Sequence, residues 1–140
     1  MNSPRTYEQA NDPLELNRPT HVLVVDDEVD SLVMYELLLG SLGWKVYVAS
    51  SAAEAILKFD ETVDVVISDI GLPGMNGYDL IRELRERSTS RVAAIAISGF
   101  GTTEDVRKAL ASGFDSHLTK PLQLSALLDA LRDITGRARA

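Results

Sequence analysis

The sequence predicts an α/β fold in which a parallel sheet is covered by helices on both faces. Two observations carry this reading. Five short apolar segments rich in β-branched residues alternate with five segments of helical character, and the connections between them are short. The apolar segments are also too continuous to have one face in water, which is how strands buried on both sides read. Short connections between parallel strands require right-handed crossovers.

Order is expected to begin at His21. Val22-Leu23-Val24-Val25 stops abruptly at Asp26-Asp27-Glu28 and reads as the first strand, followed by a helix from about Val29 to Leu42 that closes at Gly43. Lys45 to Ala49 reads as the second strand, and Ser51 is placed to cap a helix through Glu54 toward Phe59. Val63 to Ser68 is the third strand and runs into Asp69. Gly71, Pro73, Gly74 and Gly77 mark a tight loop before a helix carrying Leu80, Ile81 and Leu84. Val92 to Ile97 is the fourth strand, ending at Ser98, and a helix from Thr103 to Ala111 stops at Gly113. Asp115 to Leu118 is the fifth strand. Thr119-Lys120-Pro121 then leads to a last helix with Leu124, Leu127, Leu128, Leu131 and Ile134 on one stripe.

Length and composition bound what such a domain does. The 140 residues suit one domain, with 45% hydrophobic and 25% charged residues and no cysteine, so a core forms without disulfides or thiolate metal sites. Residues 1–19 are polar and proline-bearing and read as a flexible tail, residues 20–136 as the folded domain, and residues 137–140 as a short C-terminal tail. The net charge of −7 argues against a DNA-binding or polybasic membrane-binding surface. No apolar run approaches the roughly 20 residues of a membrane helix, and no signal-peptide core opens the chain. The chain reads as soluble and cytoplasmic.

The residues that follow the strands carry the chemistry. In open α/β sheets ligands bind beyond the carboxyl ends of the strands, near the point where strand order reverses. Asp26 and Asp27 follow the first strand, Asp69 the third, Ser98 the fourth and Lys120 the fifth. Three carboxylates on one rim do not all ionise cheaply without a cation. An all-oxygen donor set suits a hard ion of the Mg2+ type, with Mn2+ as a substitute. A lysine opposite the acids makes sense if an anion sits between it and the metal. Phosphate has the right shape, and a carboxylate is a competent nucleophile toward phosphorus. Among the three acids, Asp69 alone leads a glycine-rich loop with room for an incoming group. Taken singly, Asp26 and Asp27 read equally well as loop acids or a helix cap, Asp69 as an Asx-turn residue and Lys120 as a surface charge. Their joint placement favours the site.

Val24-Val25-Asp26-Asp27-Glu28, Ser68-Asp69-Ile70-Gly71-Leu72-Pro73-Gly74-Met75-Asn76-Gly77-Tyr78, Ala96-Ile97-Ser98-Gly99 and Leu118-Thr119-Lys120-Pro121 together resemble the receiver domains of two-component signalling, from about His21 to Ile134. The resemblance implies a flavodoxin-like, doubly wound five-stranded parallel sheet of order 2-1-3-4-5 with five helices. It implies that Asp69 accepts a phosphoryl group from a phosphohistidine on a histidine kinase or histidine phosphotransfer protein. Asp26, Asp27, Asp69 and the Gly71 backbone carbonyl would hold Mg2+, Ser98 and Lys120 would bind the phosphoryl oxygens, and the Lys120–Pro121 peptide would be cis. Ser98 would act in the switch together with position 117, where the family commonly has Tyr or Phe and this chain has His117. That substitution departs from the family's aromatic relay. His117 itself reads as an exposed strand residue without a catalytic role.

The first helix is apolar on more than one face. Met34, Leu38 and Leu42 suit a buried stripe, leaving Leu32, Val33 and Leu37 as a docking surface for the phosphodonor's helices or for a second copy of the chain. No helix-turn-helix sequence follows Thr135, so output is expected through contacts with a downstream protein and not through DNA. The stretch from Gly113 to Pro121 is similar to receivers attached to hybrid histidine kinases, so both a module of such a kinase and a free-standing regulator are open. Two other classes compete. An aspartyl-phosphate hydrolase of the haloacid-dehalogenase type needs an acid two residues after the nucleophile, where this chain has Gly71. A pseudo-receiver that is never phosphorylated has usually lost an acid or the lysine, and none is missing here.

Overall fold

The computed structural model describes residues 19–139. The tail expected over residues 1–19 therefore lies, apart from Pro19, outside the described residues. Ten elements alternate strictly: β1 (His21–Val25), α1 (Val29–Gly40), β2 (Lys45–Ala49), α2 (Ala52–Lys58), β3 (Val65–Asp69), α3 (Gly77–Arg87), β4 (Ala93–Ser98), α4 (Thr103–Ser112), β5 (Ser116–Thr119) and α5 (Leu124–Arg139). The strands form one parallel sheet in the order β2-β1-β3-β4-β5. Strand order reverses between β1 and β3, and the first and third acid positions stand at the carboxyl ends of those two strands.

Side-chain alternation along the strands builds a core on each face of the sheet. Val22, Val24, Val65, Ile67, Ile95 and Ile97 pack with Leu32, Tyr35 and Leu39 of α1 and Leu127, Leu131 and Ile134 of α5. Leu23, Val25 and Val66 face the other way, onto α2 and the Leu80 and Leu84 positions of α3. Ala94 and Ala96 are small, which lets Ile81 of α3 and Ala109 of α4 approach β4 closely. The starts of α2, α3 and α4 are capped by side chains, with Ser51, Asn76 and Thr102 accepting the N–H of Glu54, Asp79 and Asp105.

Several boundaries and one face differ from expectation. β3 starts at Val65, because the Val63 N–H closes a turn onto Asp60 and the Asp64 carboxylate accepts the His21 N–H at 2.8 Å. α1 ends at Gly40, with Gly43 at φ +83° carrying the chain out of the turn that follows. α5 continues past Gly136 to Arg139, so residues 137–139 are helical, while Ala140 lies outside the described residues. The buried stripe of α1 is Leu32, Tyr35 and Leu39 with Leu38 half-buried, whereas Met34 and Leu42 are exposed. Leu32 is thus a core residue and is withdrawn from the docking surface.

Arg85 ties the carboxyl half of α3 to the sheet. Its guanidinium donates to the Gly113 carbonyl at 2.9 and 3.1 Å, to the Asp115 carboxylate at 2.9 Å and to the Val92 carbonyl. Asp115 in turn accepts the Ala94 N–H at 2.9 Å and pairs with Arg91. Removing Arg85 takes the side-chain donor from the Gly113 and Val92 carbonyls and leaves Asp115 with one cation fewer. Arg85→Met is expected to lower stability by about 2–4 kcal/mol, read as a lower urea midpoint at unchanged slope.

Candidate functional site: an acid pocket closed by a lysine

The strand ends bring four of the expected side chains to one rim. Asp26 leaves β1 with its side chain 1% exposed, and its Oδ1 accepts the Glu28 N–H at 2.9 Å, turning the chain into α1. Asp27, next in the chain, is exposed. Asp69 ends β3, and its Oδ1 accepts the Gly71 N–H at 3.0 Å. Carboxylate oxygens of Asp26, Asp27 and Asp69 lie within 4.8 Å of one another. From the end of β5, Lys120 reaches across the sheet so that Nζ donates to Asp69 Oδ2 at 2.8 Å. It also lies 3.2 Å from Asp26 Oδ2 and 3.6 Å from the Glu28 carboxylate. The Lys120–Pro121 peptide is cis.

Electrostatics follow from burial. Desolvation raises the Asp26 carboxyl above its ordinary value, against the Glu28 N–H and the Lys120 ammonium, which lower it. Burial pulls Lys120 down, but its hydrogen bond to Asp69 and its charge attraction to Asp69 and Asp26 outweigh this and hold its proton more tightly than usual. Both groups therefore shift upward for different reasons. Asp26 is fully enclosed and feels desolvation most, whereas Lys120 keeps some water and serves more than one acid. Asp26 Oδ2 is buried without a well-oriented hydrogen bond, since Lys120 meets it as an ion pair only. A buried carboxylate oxygen met only by an ammonium, beside two further acids, is a donor set that fits a hard cation.

Ser98 ends β4 half-buried. Its hydroxyl donates to the Phe100 carbonyl, and it lies 2.8 Å from His117 Nε2. His117 is half-buried and bonded to a site residue, so the reading of it as an exposed strand residue is corrected. His117 stands opposite Ala96 in the β4–β5 register, which turns it toward α4, two positions from Thr119 opposite Ser98. Sequence reasoning also missed three neighbours. The Glu28 carboxylate faces Lys120, the Phe100 carbonyl engages Ser98, and Gly77 presses on the Asp69 backbone. A Cβ at Gly77 would lie 2.5 Å from the Asp69 carbonyl oxygen and 2.8 Å from Ile70 Cα, so only glycine lets α3 seat against the end of β3. The glycine cluster after Asp69 was the available signal for that approach.

A doubly wound sheet with acids at its switch point, a lysine bound among them and a hydroxyl on the adjoining strand is the arrangement of a small receiver-type α/β domain. The family profile of the response regulator receiver domain matches residues 22–132, and the chain belongs to that family. It is 36% identical over 121 residues to the transcriptional regulatory protein TrcR of Mycobacterium tuberculosis, covering 86% of this chain and 47% of TrcR. The chain thus spans about half the length of that relative. Its structure is similar to a chain of the CheX–CheY–BeF3–Mg2+ complex from Borrelia burgdorferi (TM-score 0.77, 26% identity, 88% of this chain and 97% of that one). It is also similar to a chain of the co-crystal structure of the Saccharomyces cerevisiae histidine phosphotransfer signaling protein Ypd1 with the receiver domain of its downstream response regulator Ssk1 (TM-score 0.74, 26% identity, 83% and 88%). Among the described residues no helix is long and apolar enough to cross a membrane.

Because the Asp26 carboxyl is raised in the fold, its contribution to stability is fully present below 3.8 and is lost as pH rises through its folded value. At neutral pH the ionised group is a cost. Asp26→Asn is therefore expected to stabilise the metal-free protein by about 1 kcal/mol at pH 7 and to abolish the rise in Tm on adding Mg2+. Thermal melts with and without the metal check both.

Proposed function

We propose that this domain accepts a phosphoryl group on Asp69 from a phosphohistidine of a histidine kinase or histidine phosphotransfer protein, and signals through protein–protein contacts in the cytoplasm. The observation that carries the reading is the Lys120 ammonium, 2.8 Å from Asp69 Oδ2, beside a buried acid with an unmatched oxygen. In the transfer a carboxylate oxygen of Asp69 forms a bond to phosphorus, the bond from phosphorus to the donor imidazole breaks, and the electron pair returns to that nitrogen. Lys120 leaves the Asp69 carboxylate and follows the negative charge onto the phosphoryl oxygens, where the Ser98 hydroxyl donates as well. Asp26, Asp27, Asp69 and the Gly71 carbonyl are the residues that would hold Mg2+ or Mn2+, which when bound neutralises phosphoryl charge. The product stays on the chain, so the domain is a switch that assists its own modification and not a metabolic enzyme. The similarity to a chain crystallised with BeF3 and Mg2+, and to one crystallised in a phosphotransfer complex, supports this reading.

Val33 and Leu37 of α1 are 49% and 72% exposed, and Val29 and Met34 extend the same apolar surface back toward Asp27. A donor histidine that reaches Asp69 brings its own helices over this rim. The patch is suited to receive them.

Incubation with acetyl phosphate and Mg2+ is expected to add one phosphoryl group by intact mass, and Asp69→Asn or chelation should abolish it. Addition that persists in Asp69→Asn would contradict the proposal. Val33→Glu together with Leu37→Glu is expected to slow transfer from a phosphohistidine partner about tenfold or more, a loss of at least about 1.4 kcal/mol of docking, while acetyl phosphate labelling stays at the wild-type rate. Unchanged partner rates would remove the docking surface.

A further inference from the structure

We infer that His117 is a positioning residue for Ser98, holding the hydroxyl by its lone pair so that the hydroxyl's single proton is free for a phosphoryl group on Asp69, and that phosphoryl affinity thereby depends on pH. The inference deepens the proposed function and rests on it.

The argument is one of proton counting. A serine hydroxyl has one proton to donate and lone pairs to accept with, and a carbonyl oxygen only accepts. In this structure Ser98 Oγ donates to the Phe100 carbonyl, so its proton is spent there. The 2.8 Å contact with His117 Nε2 must then run the other way, from the ring N–H to the hydroxyl oxygen. That requires the imidazole to carry its proton on Nε2, as the Nε2–H tautomer or as imidazolium. Phosphoryl oxygens also only accept. When Asp69 is modified, the Ser98 proton must swing from the Phe100 carbonyl to a phosphoryl oxygen, and the His117 bond survives this swing because it uses a lone pair. The Nδ1–H tautomer has the opposite effect, since a bare Nε2 would compete for the same proton.

Releasing the Phe100 carbonyl frees a loop whose Phe100 ring is already 77% exposed. Gly101, on the same loop, lies against both His117 and Thr119, where a Cβ would stand 3.9 Å from His117 Cε1 and 2.5 Å from Thr119 Oγ1. Ring, hydroxyl and loop therefore form one packed unit. An apolar ring at position 117 would fill the same space without a donor for Ser98.

The pH dependence follows from the two forms of the ring. Imidazolium always presents Nε2–H, whereas the neutral ring divides between tautomers. A phosphoryl group also adds about 1.5 to 2 negative charges close to Ser98, which favours the proton on its neighbour. Among the described residues, the surroundings of the ring are otherwise sparing with charge. Asp105 of α4 is the charged group that faces it, β4 contributes Ser98 and Ala96, the β4–α4 loop contributes Gly101, and α5 packs on the other side of the sheet against Leu118. Lys108, further along α4, sits over the Tyr78 ring at 4.9 Å. Burial holds the free ring below its ordinary value, opposed by Asp105. Proton binding and phosphoryl binding are then reciprocal, each strengthening the other by the same factor.

The chain has two histidines, so an imidazole titration by NMR carries its own control: His21 opens β1 at the opposite rim. With Mg2+ present, adding beryllofluoride as the phosphoryl mimic is expected to move the His117 titration to higher pH and leave His21 in place. Beryllofluoride affinity should tighten severalfold between pH 8 and pH 6, up to about tenfold for each unit the ring's pKa rises. His117→Gln keeps an N–H donor that does not titrate, and is expected to bind as wild type does at the lower pH but with no pH slope. His117→Phe has no donor and should bind about tenfold more weakly, also without the slope. A His117 titration that beryllofluoride does not move, or a slope that persists in His117→Gln, overturns the inference while leaving Asp69 phosphorylation standing. Failure of the wild-type domain to bind beryllofluoride at all would remove the proposed function and this inference together.

Discussion

The pocket is held by one ammonium set among carboxylates. Asp26 is carried into the protein because β1 must be buried on both faces, and Asp69 is carried there by β3 for the same reason. Two acids brought that close repel each other and lose hydration, and neither cost is met by the backbone N–H groups of Glu28 and Gly71 alone. Lys120 supplies the missing charge from the far side of the sheet, at 2.8 Å from one acid and 3.2 Å from the other. The parallel register makes this meeting possible, because it sets Ile97 beside Asp69 and Thr119 beside Ser98, so the ends of β3, β4 and β5 fall on one line.

What stabilises the resting state also defines its reactivity. In the proposed transfer the ammonium occupies the place of positive charge until an incoming phosphoryl group, in the presence of a divalent cation, offers a better arrangement. The surrounding frame is rigid where it needs to be. Gly77 permits the contact between α3 and the Asp69 backbone, and Arg85 anchors the other end of that helix to the Gly113 turn. The Phe100 carbonyl and the Ser98 hydroxyl, by contrast, are joined by a single side-chain bond that can be exchanged. Rigid acids next to an exchangeable hydroxyl suit the proposed switch, in which a local charge change is read out through a loop.

Much of this was legible from residue order. Apolar runs that end in Asp26, Asp69, Ser98 and, after Thr119, Lys120 give both the sheet and the rim, because a parallel sheet leaves its ligand-binding edge in one place. The α1 face was harder. Leu32, Tyr35 and Leu39 follow a helical repeat, but so do Met34, Leu38 and Leu42, and only the packing of α5 and the sheet against one side decides between them. Tyr35 was the overlooked clue: its ring lies in the core, 2% exposed. The contact between His117 and Ser98 was legible only in part, because the family resemblance pairs the two positions in a switch without giving their geometry. Periodicity says which face of β5 it occupies, but not that Ser98 sits within hydrogen-bond reach on the neighbouring strand. Boundaries at Val63 and Leu42 were blurred by turns whose hydrogen bonds use side chains and a left-handed glycine, features that apolar patterning does not record.

A crystal structure of the domain grown with Mg2+ and beryllofluoride tests the central claim most directly. The account requires a tetrahedral BeF3 group on the Asp69 carboxylate, a cation bound by Asp26, Asp27 and Asp69, and Lys120 Nζ moved from Asp69 Oδ2 onto a fluorine. Density for the group elsewhere, or a Lys120 still paired with an unmodified Asp69 while Mg2+ fills the acid pocket, would contradict it.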